Sequence, residues 1–137
     1  MKSIADVSDR TYILAGNSTF TVHNPKTGNR FTFKITKARN RTGCWWVKVL
    51  YGQDNESDFM YIGTIIKARY IHNSRCSCVS PDAMSNKCFQ WFWKHVDDYA
   101  EHGVELVKST NCARCGRKLT VPISVHSGFG PECIKKV

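Results

Sequence analysis

The chain is predicted to be α+β: an antiparallel sheet of about four to five strands, one main helix packed on it, and a small cysteine-bearing C-terminal module. Three observations carry this. Short runs of alternating apolar and polar residues, separated by turns, fill the chain up to about residue 66. From Ala83 to about Tyr99 the apolar residues recur every three or four positions instead. Then Cys112-Ala-Arg-Cys115-Gly116 and Gly128-Phe129-Gly130-Pro131-Glu132-Cys133 mark a tail organised by thiols.

Taken in order, Thr11–Ala15 suits either a strand or a short helix. Thr19–Val22 and Arg30–Thr36 alternate on either side of the turn-rich Asn24–Asn29, which predicts a hairpin. Cys44–Tyr51 is a third strand and Phe59–Ile66 a fourth, and connections this short imply a meander. Ile71–Val79 reads as an irregular connection. Ser80-Pro81-Asp82 carries three helix-start signals: a capping hydroxyl, a proline in the first turn and an early acid. Met84, Cys88, Trp91, Phe92, His95 and Tyr99 then form one stripe, and Gly103 supplies the stop. Residues 1–107 are expected to form the sheet-helix body. Residues 108–137, too short for a core of their own, are expected to lean on it.

With 137 residues there is room for one modest domain and an appendage. No apolar run reaches the ~20 residues that span a bilayer, and Met1–Asp6 lacks the apolar segment of a secretory signal. Seven cysteines, an odd number, suit a reducing cytoplasm better than a disulfide scaffold. The net charge of +9 is unevenly spread. Residues 1–80 hold twelve Lys and Arg against five acids, residues 81–107 two against five, and residues 108–137 six against one. Two basic zones flanking an acidic one make nucleic acid the leading class of partner, with an acidic protein surface as the other.

Cys-x-x-Cys followed at once by glycine is the pattern of a zinc knuckle, in which a tight turn presents two thiolates to one metal ion. A redox dithiol wants a helix starting on the pair, and Gly116-Arg117-Lys118 with Pro122 argues against one. Cys112, Cys115 and Cys133 are therefore expected to bind one structural Zn2+. The fourth ligand is open: His126 is nearest in sequence, and His102, Cys88, Cys76 and Cys78 are alternatives. Loss of the metal is expected to loosen residues 108–137 and leave the sheet largely folded. Cys76-Ser77-Cys78 itself reads more simply as small residues than as a metal pair.

Successive strand residues point to opposite sheet faces. Trp45, Val47, Val49 and Tyr51 share one face with Phe31, Phe33 and Ile35; Trp46, Lys48 and Leu50 share the other with Thr32, Lys34 and Thr36. If the helix covers the first set, Trp46 lies beside Lys34 and Lys48, a platform on which bases stack while cations hold phosphates. The alternative is that the N-terminal segment or the knuckle covers Trp46. Arg39 and Arg41, on the loop after the second strand, and Arg114, Arg117 and Lys118, around the knuckle, are further candidate contacts. Trp91 is expected in the core. Trp93 shares its side of the helix with Phe89 and Val96, so it is either buried between the layers as well or, exposed together with Phe89, marks a protein interface. Asp54, Glu56 and Asp58 read as a solvated turn. No phosphate-binding loop, nucleophile elbow or His-Glu-x-x-His motif appears, so an enzyme is not expected, and one that uses a metal or a thiolate is the distant alternative.

The C-terminal box, Cys112-x-x-Cys115-Gly-Arg-x-Leu-Thr-x-Pro-x-Ser followed by Gly128-x-Gly-Pro-x-Cys133, resembles that of small uncharacterised phage and prophage proteins. A softer similarity runs upstream through Asp54–Asp58, Tyr61–Ile65 and Phe89–His95. Relatives usually carry glutamate at the position of His126, and a histidine upstream of the first cysteine where this chain has Lys108. The resemblance implies a viral or mobile-element origin, an α+β body and residence in the cytoplasm of a bacterial host; it implies no activity. The basic sheet face and knuckle point to nucleic-acid binding. The second reading is a phage effector that binds a host protein, such as a defence nuclease of the CRISPR kind or a polymerase, its positive surface imitating or blocking a nucleic-acid path.

Overall fold

The computed structural model describes residues 8–39, 42–51, 58–72, 82–109, 111–119, 128–130 and 134. Its elements are α1 (Asp9–Ile13), β1 (Asn17–Asn24), β2 (Asn29–Lys37), β3 (Cys44–Leu50), β4 (Phe59–Ile66), β5 (Arg69–His72), α2 (Met84–Lys94), a 3-10 turn (Tyr99–His102) and β6 (Glu105–Lys108). The strands form one antiparallel sheet in the order β5-β4-β3-β2-β1-β6. The α+β class is as expected, and the meander β1-β2-β3-β4 lies where the alternation puts it.

The six strands slightly exceed the expected four to five, and two of them, β5 and β6, were not read from the sequence as strands. β5 takes in Ile71 and His72, read above as the start of an irregular connection. It is reached through Lys67 and Ala68, both at positive φ without a glycine or asparagine to signal the turn. β6 pairs with β1 across most of the chain. Its last two residues reverse the usual pattern: apolar Val107 is exposed on the outer face, while Lys108 turns inward with its Nζ 4.8 Å from the centre of the Tyr12 ring. Thr11–Ala15, undecided in the sequence, begins within α1. Ser8 caps that helix by accepting from the Thr11 N–H at 3.2 Å, and Asp9 sits favourably in its first turn.

The core lies between one sheet face and α2. Phe33 meets Phe89 at 5.0 Å between ring centres, Phe20 meets Phe92 at 5.7 Å, and Tyr70 meets Phe89 at 4.7 Å. Burying each phenylalanine contributes ~1.5–3 kcal/mol relative to leaving it in water.

The helix differs from its expectation in two respects. Its N-cap is Ala83, with no side-chain cap; Ser80 and Pro81 lie outside the described residues. Its buried face is Asn86, Phe89, Phe92 and Trp93, so Trp93 is core, Trp91 is only partly buried, and Met84 is 56 % exposed. The sheet decides this rotation. Tyr70 on β5 donates its hydroxyl to Asn86 Oδ1 at 2.6 Å, and the Trp93 indole donates to the Ala68 carbonyl at 3.0 Å. The helix stops at Lys94 rather than near Tyr99, because Asp97 and Asp98 place two carboxylates at the negative end of its dipole. Gly103 closes the 3-10 turn instead.

The C-terminal segment joins the same core. Cys112, Ala113, Leu119 and Phe129 are buried in one cluster with Tyr12 and Ile13. Asn17 N–H donates to Ala113 O at 2.7 Å, Ser109 N–H to Thr19 O at 3.1 Å, and Phe129 meets Tyr12 edge-on at 6.0 Å. Among the described residues no helix is long and apolar enough to cross a membrane.

Candidate nucleic-acid interface and metal knuckle

Strand registry builds the outer sheet face row by row. Thr19 lies opposite Lys34, Lys34 opposite Lys48, and Lys48 opposite Tyr61, one continuous row across four strands. The next row is Asn17, Thr36, Trp46 and Thr64. Strands stand ~4.8 Å apart, so each row is about 14 Å long.

A bulge sets the phase of this face. Val47 pairs with Gly63 but Lys48 pairs with Tyr61, leaving Ile62 as the extra residue. Ile62 goes fully into the core, and Tyr61 emerges beside Trp46 and Lys48. The Trp46 and Tyr61 rings meet edge-on at 5.9 Å, and the Tyr61 hydroxyl lies 2.6 Å from that of Thr64. Trp46 is thus half-buried against Tyr61. Tyr61 escaped the sequence reading because strict alternation does not reveal a bulge.

Lys34 and Lys48 are like charges directly opposite each other, an arrangement that costs ~0.2–1 kcal/mol in a sheet. Lys34 Nζ is 5.6 Å from the centre of the Phe59 ring. Among the described residues, neither lysine is paired with a carboxylate. Thr21 and Thr32 share a hydroxyl hydrogen bond of 2.8 Å, and His23 is bonded to Glu105 at the margin. Beside these rows lies a groove of about 820 Å3, walled by Thr19, Arg30 and Lys34 on the sheet, and by Val107, Asn111 and Gly116. The last two belong to the cysteine turn, so the groove runs from the sheet to the knuckle.

The knuckle is built from its backbone. Cys112 N–H donates to Arg117 O at 2.8 Å and Gly116 N–H to Cys112 O at 2.9 Å, while Asn111 and Lys118 form an antiparallel bridge. Gly116 sits at φ +79, and a Cβ there would come within 2.6 Å of Asn17 Nδ2. The turn therefore needs glycine for its conformation and for its close approach to β1. Cys112 and Cys115 are free thiols, the first buried and the second exposed. Burial opposes ionisation of Cys112. The N–H groups of Cys115, Gly130 and Arg114, together with the Cys115 thiol, outweigh it and bring the pKa down to about 7. The Gly130 N–H reaches the sulfur at 3.4 Å. A sulfur ringed by N–H donors beside a second thiol is the environment a zinc-bound thiolate requires, so the residues present fit the metal.

Of the other predicted site residues, Arg39, Arg114, Arg117 and Lys118 are exposed, and Arg41, His126 and Cys133 lie outside the described residues, as do Cys76, Cys78, Asp54 and Glu56. Cys88 is on α2, where burial raises its thiol to about 11. His102 is engaged with His95 and Asp98. That trio was missed as a group, although spacings of three and four residues place such side chains together around a helix.

The model of a family of unknown function, DUF6011, matches residues 107–137, the segment that contains the knuckle. No curated protein and no solved structure matches the chain.

Proposed function

We propose that the protein is a zinc-stapled binding module that holds single-stranded nucleic acid on its outer sheet face. The observation that carries this reading is the Lys34–Lys48 pair, two opposed cations beside Trp46 and Tyr61. Their mutual repulsion is relieved when an external polyanion arrives. Phosphates sit between the lysines, and bases stack on the exposed parts of Trp46 and Tyr61. Arg30, along the groove, and Arg114, Arg117 and Lys118, on the knuckle, extend the track, as does Arg39 after β2; Arg41, two residues further along the sequence, is a candidate outside the described residues.

In this reading Zn2+ is structural. Cys112 and Cys115 supply two thiolates, and Cys133 and His126 complete the set. The metal fixes the knuckle that walls the groove, and no catalytic step is assigned.

Fluorescence anisotropy of a labelled single-stranded oligonucleotide tests the proposal. The affinity is expected to fall steeply with salt, and each of Lys34→Ala and Lys48→Ala to flatten the log–log slope by ~0.7. Trp46→Ala is expected to cost ~1–3 kcal/mol if one base stacks there. Salt-insensitive binding, or capture of a host protein that survives nuclease treatment with no oligonucleotide binding, would contradict it.

A further inference from the structure

The acidic end of α2 carries a second cluster that the outer-face reading does not use. Asp97 turns away to Arg10 at 2.9 Å. Asp98 presents its two oxygens to two imidazoles: Oδ1 lies 3.0 Å from His95 Nδ1, and Oδ2 lies 3.6 Å from His102 Nε2. One ligand atom from each of the three residues falls within 4.8 Å of the others. Ligands held at ~2.0–2.2 Å around a tetrahedral ion stand about 3.2–3.5 Å from one another. The Asp98–His95 separation is thus already near that of a coordination shell, and with one carboxylate oxygen serving both imidazoles the other two distances, within 4.8 Å, close through small rotations of the Asp98 carboxylate and the His102 ring.

The rings are also held in place. Trp91 stacks on His95 at 4.5 Å and 26° and meets His102 edge-on at 5.3 Å, while the two imidazoles lie edge to face at 4.9 Å. The partial burial of Trp91, unexpected from the helical stripe, places it as the wall of this cluster. Two imidazole nitrogens and one carboxylate oxygen favour borderline transition metals over Mg2+ or Ca2+. The side chains of His95, Asp98 and His102 are 25 %, 44 % and 47 % exposed, so solvent reaches the remaining coordination position.

We propose that His95, Asp98 and His102 form a second, solvent-facing site for a divalent transition-metal ion of the Zn2+, Co2+ or Ni2+ kind, separate from the thiolate knuckle and independent of nucleic-acid binding.

The test uses the full chain, first saturated with one equivalent of Zn2+ and then titrated with Co2+. Calorimetry is expected to show one further equivalent of Co2+, with quenching of tryptophan fluorescence from Trp91 and no sulfur-to-cobalt absorption. His95→Gln and His102→Gln, checked for folding by circular dichroism, are expected to weaken that binding by more than about ten-fold, since loss of an outer-shell partner alone costs that much in metal sites. Mg2+ is expected to give no such signal. Equal Co2+ affinity and stoichiometry in the wild type and both variants would overturn the proposal. So would bound Co2+ whose absorption is entirely of the sulfur-to-metal type, or no further Co2+ bound at all.

Discussion

Lys67 and Ala68 turn the chain from β4 into β5 at φ 52 and 64, a region that disfavours L side chains by ~1–2 kcal/mol per residue. The Trp93 indole holds the turn through the Ala68 carbonyl. Ala68→Gly is therefore expected to raise stability by about 1 kcal/mol, read as a higher denaturant midpoint; an unchanged or lower midpoint would contradict the assignment. The tyrosines give a second residue-scale outcome. Burial pushes the Tyr12 phenol to about 12, and burial, the larger cause in each case, also raises Tyr70 and Tyr99. Unfolded tyrosine ionises near ~10, so the folded chain keeps protons that the unfolded chain releases. Their stabilising contribution is full below about pH 10 and is lost as pH rises toward 12. Tyrosinate absorbance and unfolding should move together over that range; independent titration would contradict it. Individual residues were legible where alternation was unbroken, as at Lys34 and Lys48. They were obscure where a bulge or a tertiary hydrogen bond chose the face, as at Tyr61 and Trp91.

At the scale of elements, β3 and β4 were read almost to their ends, because their apolar runs are bounded by turn residues. β5 and β6 were not, since each has only four residues and takes its place from the partner strand. The helix was visible but its rotation was not. Its sequence offers two apolar sides, and the hydrogen bonds from Tyr70 and Trp93 select between them. The β4–β5 hairpin has one further requirement. A Cβ on Gly63 would lie 2.5 Å from Ile71 O and 2.7 Å from Tyr70 Cε1. Gly63→Ala is thus expected to cost ~1–3 kcal/mol and to loosen β5, read as faster amide exchange at Tyr70 and Ile71; unchanged exchange would contradict the packing.

For the whole molecule, the shared cluster of Cys112, Ala113, Leu119 and Phe129 with Tyr12 and Ile13 ties the tail to the sheet. The looseness confined to residues 108–137 that is expected from the sequence does not suit a segment that shares the core of the sheet. With the core shared, chelation of the proposed Zn2+ should lower the midpoint of a single cooperative unfolding transition that also includes β1 and α1. Two separate transitions, or no effect of chelator, would contradict this. The Cys-x-x-Cys-Gly turn and its leaning on the body were legible, whereas the particular contacts that dock it, such as the Asn17 N–H with the Ala113 carbonyl, were not. The like-charged pair at the centre of the outer face follows from registry, which alternation alone does not fix. Amide and indole NMR shift mapping during titration with a single-stranded oligonucleotide tests the functional account most directly. The largest shifts are predicted at Thr19, Lys34, Trp46, Lys48 and Tyr61, with α2 unaffected; shifts confined to α2 and the 3-10 turn, or none anywhere, would contradict it.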